Sequence, residues 1–244
     1  MTSLTDLSLL QLLLANLALA AGSCLQGIVG YGIGTLAAPL LFLISPSLIP
    51  AVLILNAVIL TVLLTLRNHQ GMTLGDVKPA VWGSLVGTAL GALTLTQITG
   101  EQFEWIFGLL ILLAVGLSVA GIRPPLTRLS SLLAGAASGF MGTITAVGGP
   151  PIALIYQNQK GPQVRANMSA FFTVSSVIAV VGLLWAGYLG THELILVGLT
   201  FPGVLLGFYL SGHLVQRLRF EGLRPLILGI AAVAGLSALI RGLI

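Results

Sequence analysis

Polar residues in this chain sit in short islands, and the stretches between them are almost wholly apolar. The longest apolar stretches are residues 50–66, 79–98, 105–122, 167–188, 194–214 and 223–240. Each approaches or reaches the roughly 17–25 residues that cross a bilayer as helix. None alternates polar and apolar positions as a barrel strand must, so the pattern predicts a bundle of spanning α-helices. Two further apolar stretches are interrupted. GIVGYGIGTLAAPLL, residues 27–41, carries Gly27, Gly30, Gly32 and Gly34, and GFMGTITAVGGPPIALI, residues 139–155, carries Gly148-Gly149-Pro150-Pro151. Glycine and proline weaken helix interiors, so each predicts a helical hairpin broken at its tip.

The order of these segments repeats. AGIRPPLTRLS, residues 120–130, interrupts the apolar pattern, and each side of it reads as a broken hairpin followed by three spanning helices. GLSVAGI near residue 116 matches GLSALIRG near residue 235, and VGTALGAL near residue 86 echoes PGVLLGFYL near residue 202. The expectation is an all-α integral membrane protein of two repeats, residues 1–122 and 123–244. If each hairpin returns to its own side, three crossings per half invert the second repeat. That walk puts Arg67, Lys78, Arg123, Arg128, Lys160, Arg165, Arg217, Arg219 and Arg224 on one face and only Arg241 on the other. The positive-inside rule makes the first face cytoplasmic and sets both termini outside. Asp6, Glu101, Glu104 and Glu193 also fall outside. Residues 129–157 allow the second hairpin two arms of about 22 Å at 1.5 Å per residue, short of the roughly 30 Å apolar layer. In the first hairpin, residues 7–29 are long enough to span and residues 34–44 are not, which predicts a lopsided pair.

Composition agrees with the pattern. Of 244 residues 57% are hydrophobic and 7% charged, with a mean hydropathy of +1.08, against about 25% charged in a soluble domain. The N-terminal MTSLTDLS has no basic stretch ahead of its apolar run, so a cleaved signal peptide is not expected. A lone cysteine, Cys24, forms no internal disulfide, and no Cys/His spacing reads as a zinc site. The net charge of +4 is scattered between apolar segments, a membrane topology signal rather than a nucleic-acid one. His69, His192 and His213 all lie near loops, and no catalytic group, metal or cofactor is expected.

No Asp, Glu, Lys or Arg lies deep in an apolar stretch, so a site inside the bundle must work with dipoles, hydroxyls and carboxamides. Where a helix begins inside the membrane, its first N–H groups have no intrahelical partner and its dipole presents positive charge. Such an end binds anions without a charged side chain. The glycines Gly30, Gly32 and Gly34, with Tyr31, would free the backbone ahead of a helix from Thr35. Gly148, Gly149 and Pro150 would do so ahead of a helix from Ile152. Gln26, Asn56, Thr145, Arg165 and Asn167 complete the candidate substrate-binding set. Thr35, Thr143 and Tyr156 also could face a pathway. Gln26 and Asn56 serve equally as interhelical hydrogen-bonding glue, and Arg165 equally as a headgroup anchor.

The two glycine-rich signatures, Gly32, Gly34, Pro39 and Leu40 in the first half and Gly148-Gly149-Pro150 in the second, resemble those of the sulfite exporter TauE/SafE family of membrane transporters. The resemblance covers nearly the whole chain. It implies a secondary transporter in a bacterial inner membrane that exports or exchanges sulfite, sulfoacetate or a related organosulfonate. Its partners would be a small anion and the lipid bilayer; a homodimer is not legible in the sequence. An anion channel, or import of an anion such as thiosulfate, remains an alternative. The second half lacks a glycine matching Gly30, its place falling on Val147 or Thr145 by alignment.

Overall fold

A computed structural model of the chain describes residues 7–157, 161–215 and 224–243. Asp6, Lys160, Arg217 and Arg219 of the charge pattern lie outside these residues. Ten α-helices follow in order among them: α1 (Leu9–Val29), α2 (Ala38–Ile44), α3 (Ala51–Asn68), α4 (Leu74–Gln97), α5 (Gly100–Val119), α6 (Arg128–Thr145), α7 (Gly149–Tyr156), α8 (Gly161–Trp185), α9 (Thr191–Leu214) and α10 (Arg224–Arg241). A π-helical turn, Ile33–Ala37, runs directly into α2. The described residues contain no strand. Of these helices, α1, α3, α4, α5, α8 and α9 are long and apolar enough to cross a membrane, while α10 is a shorter apolar helix. The long arm of the first hairpin therefore joins five of the expected spans. The protein is a multi-pass, all-α membrane protein.

Local signals set the helix starts. Ser8, Thr99 and Thr127 cap α1, α5 and α6, each in a reciprocal box with Gln11, Gln102 or Ser130 three residues on. These boxes satisfy donors that a helix leaves open at its N-terminus. At the tips, the helices begin at Ile33 and Gly149 rather than at Thr35 and Ile152 as expected. Proline is tolerated in a first turn, so α7 takes in Pro150 and Pro151 there. That position also corrects the expectation of equal arms. The second hairpin is lopsided like the first, with 18 residues in α6 and 8 in α7, or about 27 Å and 12 Å. Both hairpins return to their starting level. The Gln11 carboxamide donates to the Ile44 carbonyl at 3.0 Å, and that of Gln157 to the Ile122 carbonyl at 2.7 Å.

The two halves are interlaced. The most extensive contacts pair α1 with α9 and α4 with α6, followed by α5 with α10 and α3 with α8. Exchanging each helix of α1–α5 with the one five places later turns this set of pairs into itself. Each hairpin's long arm thus lies on the fourth helix of the opposite half. Small residues permit it: a Cβ at Gly83 or Gly87 of α4 would overlap the Leu132 or Ala136 carbonyl of α6. On the other side, Gly203 and Gly207 of α9 stand equally tight against the Asn16 and Ala20 carbonyls of α1. Lipid tails are as apolar as leucine, so close backbone approach is a main source of helix association in membranes. The paired echoes around Gly87 and Gly203 are packing signals. Arg67, at the end of α3, fastens the end of α1 to α9. Its guanidinium donates to the Gly27 carbonyl and the Ser211 hydroxyl at 3.4 and 3.0 Å, and lies 4.7 Å from the Phe208 ring centroid. In the core, the fully buried Phe42 of α2 stacks on Phe107 of α5 with centroids 4.4 Å apart.

Gly87→Leu is therefore expected to abolish a monodisperse peak on size-exclusion chromatography in detergent, because no α4–α6 approach survives it. Gly198→Ala, at a position with nothing within 4 Å of an added Cβ, should keep that peak. It should raise thermal stability by up to about 1 kcal/mol through helix propensity.

Candidate functional site

The two hairpin tips meet each other inside the bundle. A Cβ at Gly34 would overlap the Ala146 carbonyl oxygen, so only glycine lets the first tip approach the second this closely. Reciprocally, a Cβ at Gly149 would fall 2.8 Å from the Tyr31 ring and 3.2 Å from the Thr35 hydroxyl. Each long arm ends in a left-handed residue. Gly30 (φ 101°) donates its N–H to the Gln26 carbonyl at 2.7 Å, and Ala146 (φ 61°) donates to the Gly142 carbonyl at 2.8 Å. The counterpart of Gly30 is thus Ala146, not Val147 or Thr145 as the alignment suggested. An alanine there carries roughly 1–2 kcal/mol of steric strain that glycine avoids.

The turns beyond these caps are tied differently. In the first, the Gln26 side-chain oxygen accepts the Ile33 N–H at 3.0 Å, the leading donor of the short arm. In the second, the Thr145 hydroxyl accepts the Val147 N–H at 3.1 Å and donates to the Met141 carbonyl at 2.7 Å. The Ser138 hydroxyl donates to the Gly148 carbonyl at 2.6 Å, fastening that tip to α6. With its oxygen engaged, Gln26 has its Nε2 donors left to offer. Pro150 and Pro151 carry no N–H, so the second tip's free donors can come only from its glycines.

Between the tips lies a cavity of about 50 Å³, walled by α3 and α8 at mid-length as well as by α6. Among the described residues, none that lines it is charged. Its polar wall is made of Gln26, Tyr31 and the hydroxyls of Thr35, Thr61, Ser138, Thr143, Ser175 and Ser176, beside the backbone of Gly32, Gly34, Gly148 and Gly149. Thr35 is 8% exposed and its hydroxyl has no hydrogen-bond partner. A buried hydroxyl left in that state costs about 1–3 kcal/mol.

A second, larger space of about 550 Å³ adjoins it. Among the described residues, Arg123 and Arg165 line this vestibule together with Tyr156, Gln157 and Ser118, and no acid does. Tyr31 borders both spaces, Gly149 the cavity alone and Pro150 the vestibule alone. Tyr31 and the Gly149-Pro150 step therefore stand between a cationic outer space and an inner chamber without described charged side chains. Among the described residues no group of His, Cys, Asp or Glu is placed to hold a metal ion.

Of the candidates named from sequence, Gln26, Tyr31, Gly32, Gly34, Gly148 and Gly149 come together around the cavity, and Pro150 and Arg165 around the vestibule. Four stand elsewhere. Gly30 caps α1, and its Cα side packs on Arg165 and Met168 of α8. Asn56 is fully buried between α3 and α9, its amide donating to the Val52 carbonyl and the Thr200 hydroxyl at 3.0 and 2.9 Å. Thr145 serves the turn of the second tip. Asn167 is held by Thr73, whose N–H donates to it at 2.8 Å. Sequence reasoning did not reach Ser138, Ser175, Ser176 and Thr61. The adjacent serines in the middle of the apolar α8 were the available signal.

A family model described as sulfite exporter TauE/SafE matches residues 14–238. No curated protein and no solved structure matches the chain. With a match over nearly its whole length, the chain belongs to the sulfite exporter TauE/SafE family of membrane transporters.

The geometry of the caps makes a stability test. Ala146→Gly should raise the melting temperature in detergent, by about 1 kcal/mol in stability, and Gly30→Ala should lower it by at least as much. Asn56→Ala should cost about 0.6 kcal/mol, the average for an interhelical hydrogen bond in a membrane protein. Binding of an anion in the cavity should survive it unchanged in a titration of the purified protein.

Proposed function

We propose that this member of the family is a secondary transporter that exports a small sulfur-containing anion: sulfite, sulfoacetate or a related organosulfonate. The observation that carries the reading is the joining of a cationic vestibule to an uncharged, hydroxyl-lined cavity at two broken-helix tips. Arg123 and Arg165 raise the local concentration of anions. Backbone N–H groups of the tip glycines, with Gln26 Nε2, then receive the substrate in place of water. A site without a fixed cation holds an anion weakly enough to release it. The polar groups lining the cavity are hydroxyls, a carboxamide and glycine backbone, which suit reversible binding of a small anion.

Halves 1–122 and 123–244 act as inverted repeats, a reading supported by a helix pairing that is unchanged when the halves are exchanged. Charge supports an orientation with both termini outside and the vestibule toward the cytoplasm of a bacterial cell. Alternating access would rock the tips past each other so that the Tyr31 partition opens while the opposite side closes. Efflux of an anion can be driven by the inside-negative potential, at about 2.3 kcal/mol per charge per 100 mV, which requires no carboxylate inside the membrane.

Purified protein in liposomes should show saturable counterflow of at least one of sulfite, thiosulfate, sulfoacetate and sulfate. An imposed potential, negative on the vestibule side, should accelerate exit from that side. Flux without saturation or exchange would mean a channel, and no flux of any of the four would sink the sulfur-anion reading. Arg165→Gln should raise KM from the vestibule side several-fold and flatten its salt dependence. Gly149→Leu should abolish transport in a protein that still purifies as a single species.

A further inference from the structure

We infer that the Thr35 hydroxyl is a direct ligand of the transported anion, and that Phe172 sets the upper limit on that anion's size, restricting it to compact inorganic oxyanions. The inference rests on the transporter reading above and narrows it.

Three observations lead there. First, Thr35 is 8% exposed, lines the cavity, and has a hydroxyl with no partner. Buried polar side chains are nearly always satisfied, so an orphan facing a cavity is a group awaiting a ligand. It stands 3.2 Å from where a Cβ on Gly149 would lie, so it faces the other tip and shares its space. A second-tip residue larger than glycine would occupy the volume that the hydroxyl addresses.

Second, the cavity is small. Its volume of about 50 Å³ is about a third of the roughly 150 Å³ of an engineered apolar cavity that admits benzene. A sulfur atom with its oxygens fills that space. A sulfonate carrying a carbon chain and a carboxylate, as in sulfoacetate, does not fit beside them.

Third, an aromatic ring closes the α8 side of the cavity. Phe172 lines the cavity and meets Phe171 edge-on, with ring centroids 5.1 Å apart and planes at 72°. Phe171 is itself fully buried. The edge contact restrains the Phe172 ring at the cavity wall, and removal of that ring would open the cavity along α8.

The test uses full-length purified protein, with ligand-induced thermal shift in detergent for binding and counterflow in liposomes for transport. Sulfite should bind and exchange, and sulfoacetate should neither compete nor move. Thr35→Val should weaken sulfite binding about ten- to a hundredfold, the worth of a hydrogen bond to a charged group. Its melting temperature without ligand should hold or rise, because an unmade hydrogen bond has been removed. Thr35→Ser should bind within a few-fold of the parent. Phe172→Ala, or Phe172→Leu if the first does not purify, should admit sulfoacetate. Equal competition by sulfoacetate in the parent protein, or undiminished sulfite binding by Thr35→Val, overturns the inference and leaves the transporter reading intact. Sulfite that binds with the expected Thr35 dependence, with none of sulfite, thiosulfate, sulfoacetate and sulfate crossing, removes the transporter reading and leaves the site. Absence of binding by any of the four removes both.

Discussion

Hydrocarbon offers no hydrogen bonds, so a chain that breaks its backbone within a membrane must cover the break with protein. This constraint organises the bundle. Each broken tip is covered by the other, Gly34 against the Ala146 carbonyl and Gly149 against Tyr31 and Thr35. The long arms that carry the tips are held in turn by α9 and α4, through glycines that let carbonyl-lined backbones touch. Neither half could bury its own tip, because the fourth helix that supports each hairpin comes from the opposite half.

Once covered, the breaks become useful. Helix ends inside a bundle present unpaired donors and a positive dipole end without a full charge. The charges nearest the tips in the adjoining space are those of Arg123 and Arg165. In the proposed reading, attraction and retention fall to different places: cations would gather anions at the vestibule, and neutral donors would hold them inside. A cation in the inner chamber would strengthen binding at the expense of release.

The halves share a plan and differ in detail, and the differences lie at the tips. A carboxamide from Gln26 secures the first turn, a hydroxyl from Thr145 the second. Glycine fills the left-handed cap of α1, and alanine that of α6. The first short arm opens with three residues that bear N–H groups, whereas α7 opens on a glycine followed by two prolines. The Thr35 hydroxyl stands on the first tip and has no hydrogen-bond partner, so the two tips differ in the donors they offer the cavity.

Much of this architecture was legible in sequence because the physics concerned is local. A long apolar run favours a spanning helix, and Pro150 and Pro151 fit the first turn of α7. The broken segments and the glycines Gly32, Gly34, Gly148 and Gly149 could be named on that basis. What resisted was the choice among equivalent polar residues. Asn56 and Gln26 look alike in an apolar run, yet Asn56 spends its amide on Thr200 and Gln26 lines the cavity. Ser175 and Ser176 gave no periodic signal that separated a cavity wall from lipid. Sequence determined that the backbone breaks twice and that no charge stands inside. Only tertiary structure decided which polar groups meet at the breaks, because helix rotation and crossing are set by close contacts, such as Gly87 on Ala136 and Gly207 on Ala20, between residues far apart in the chain.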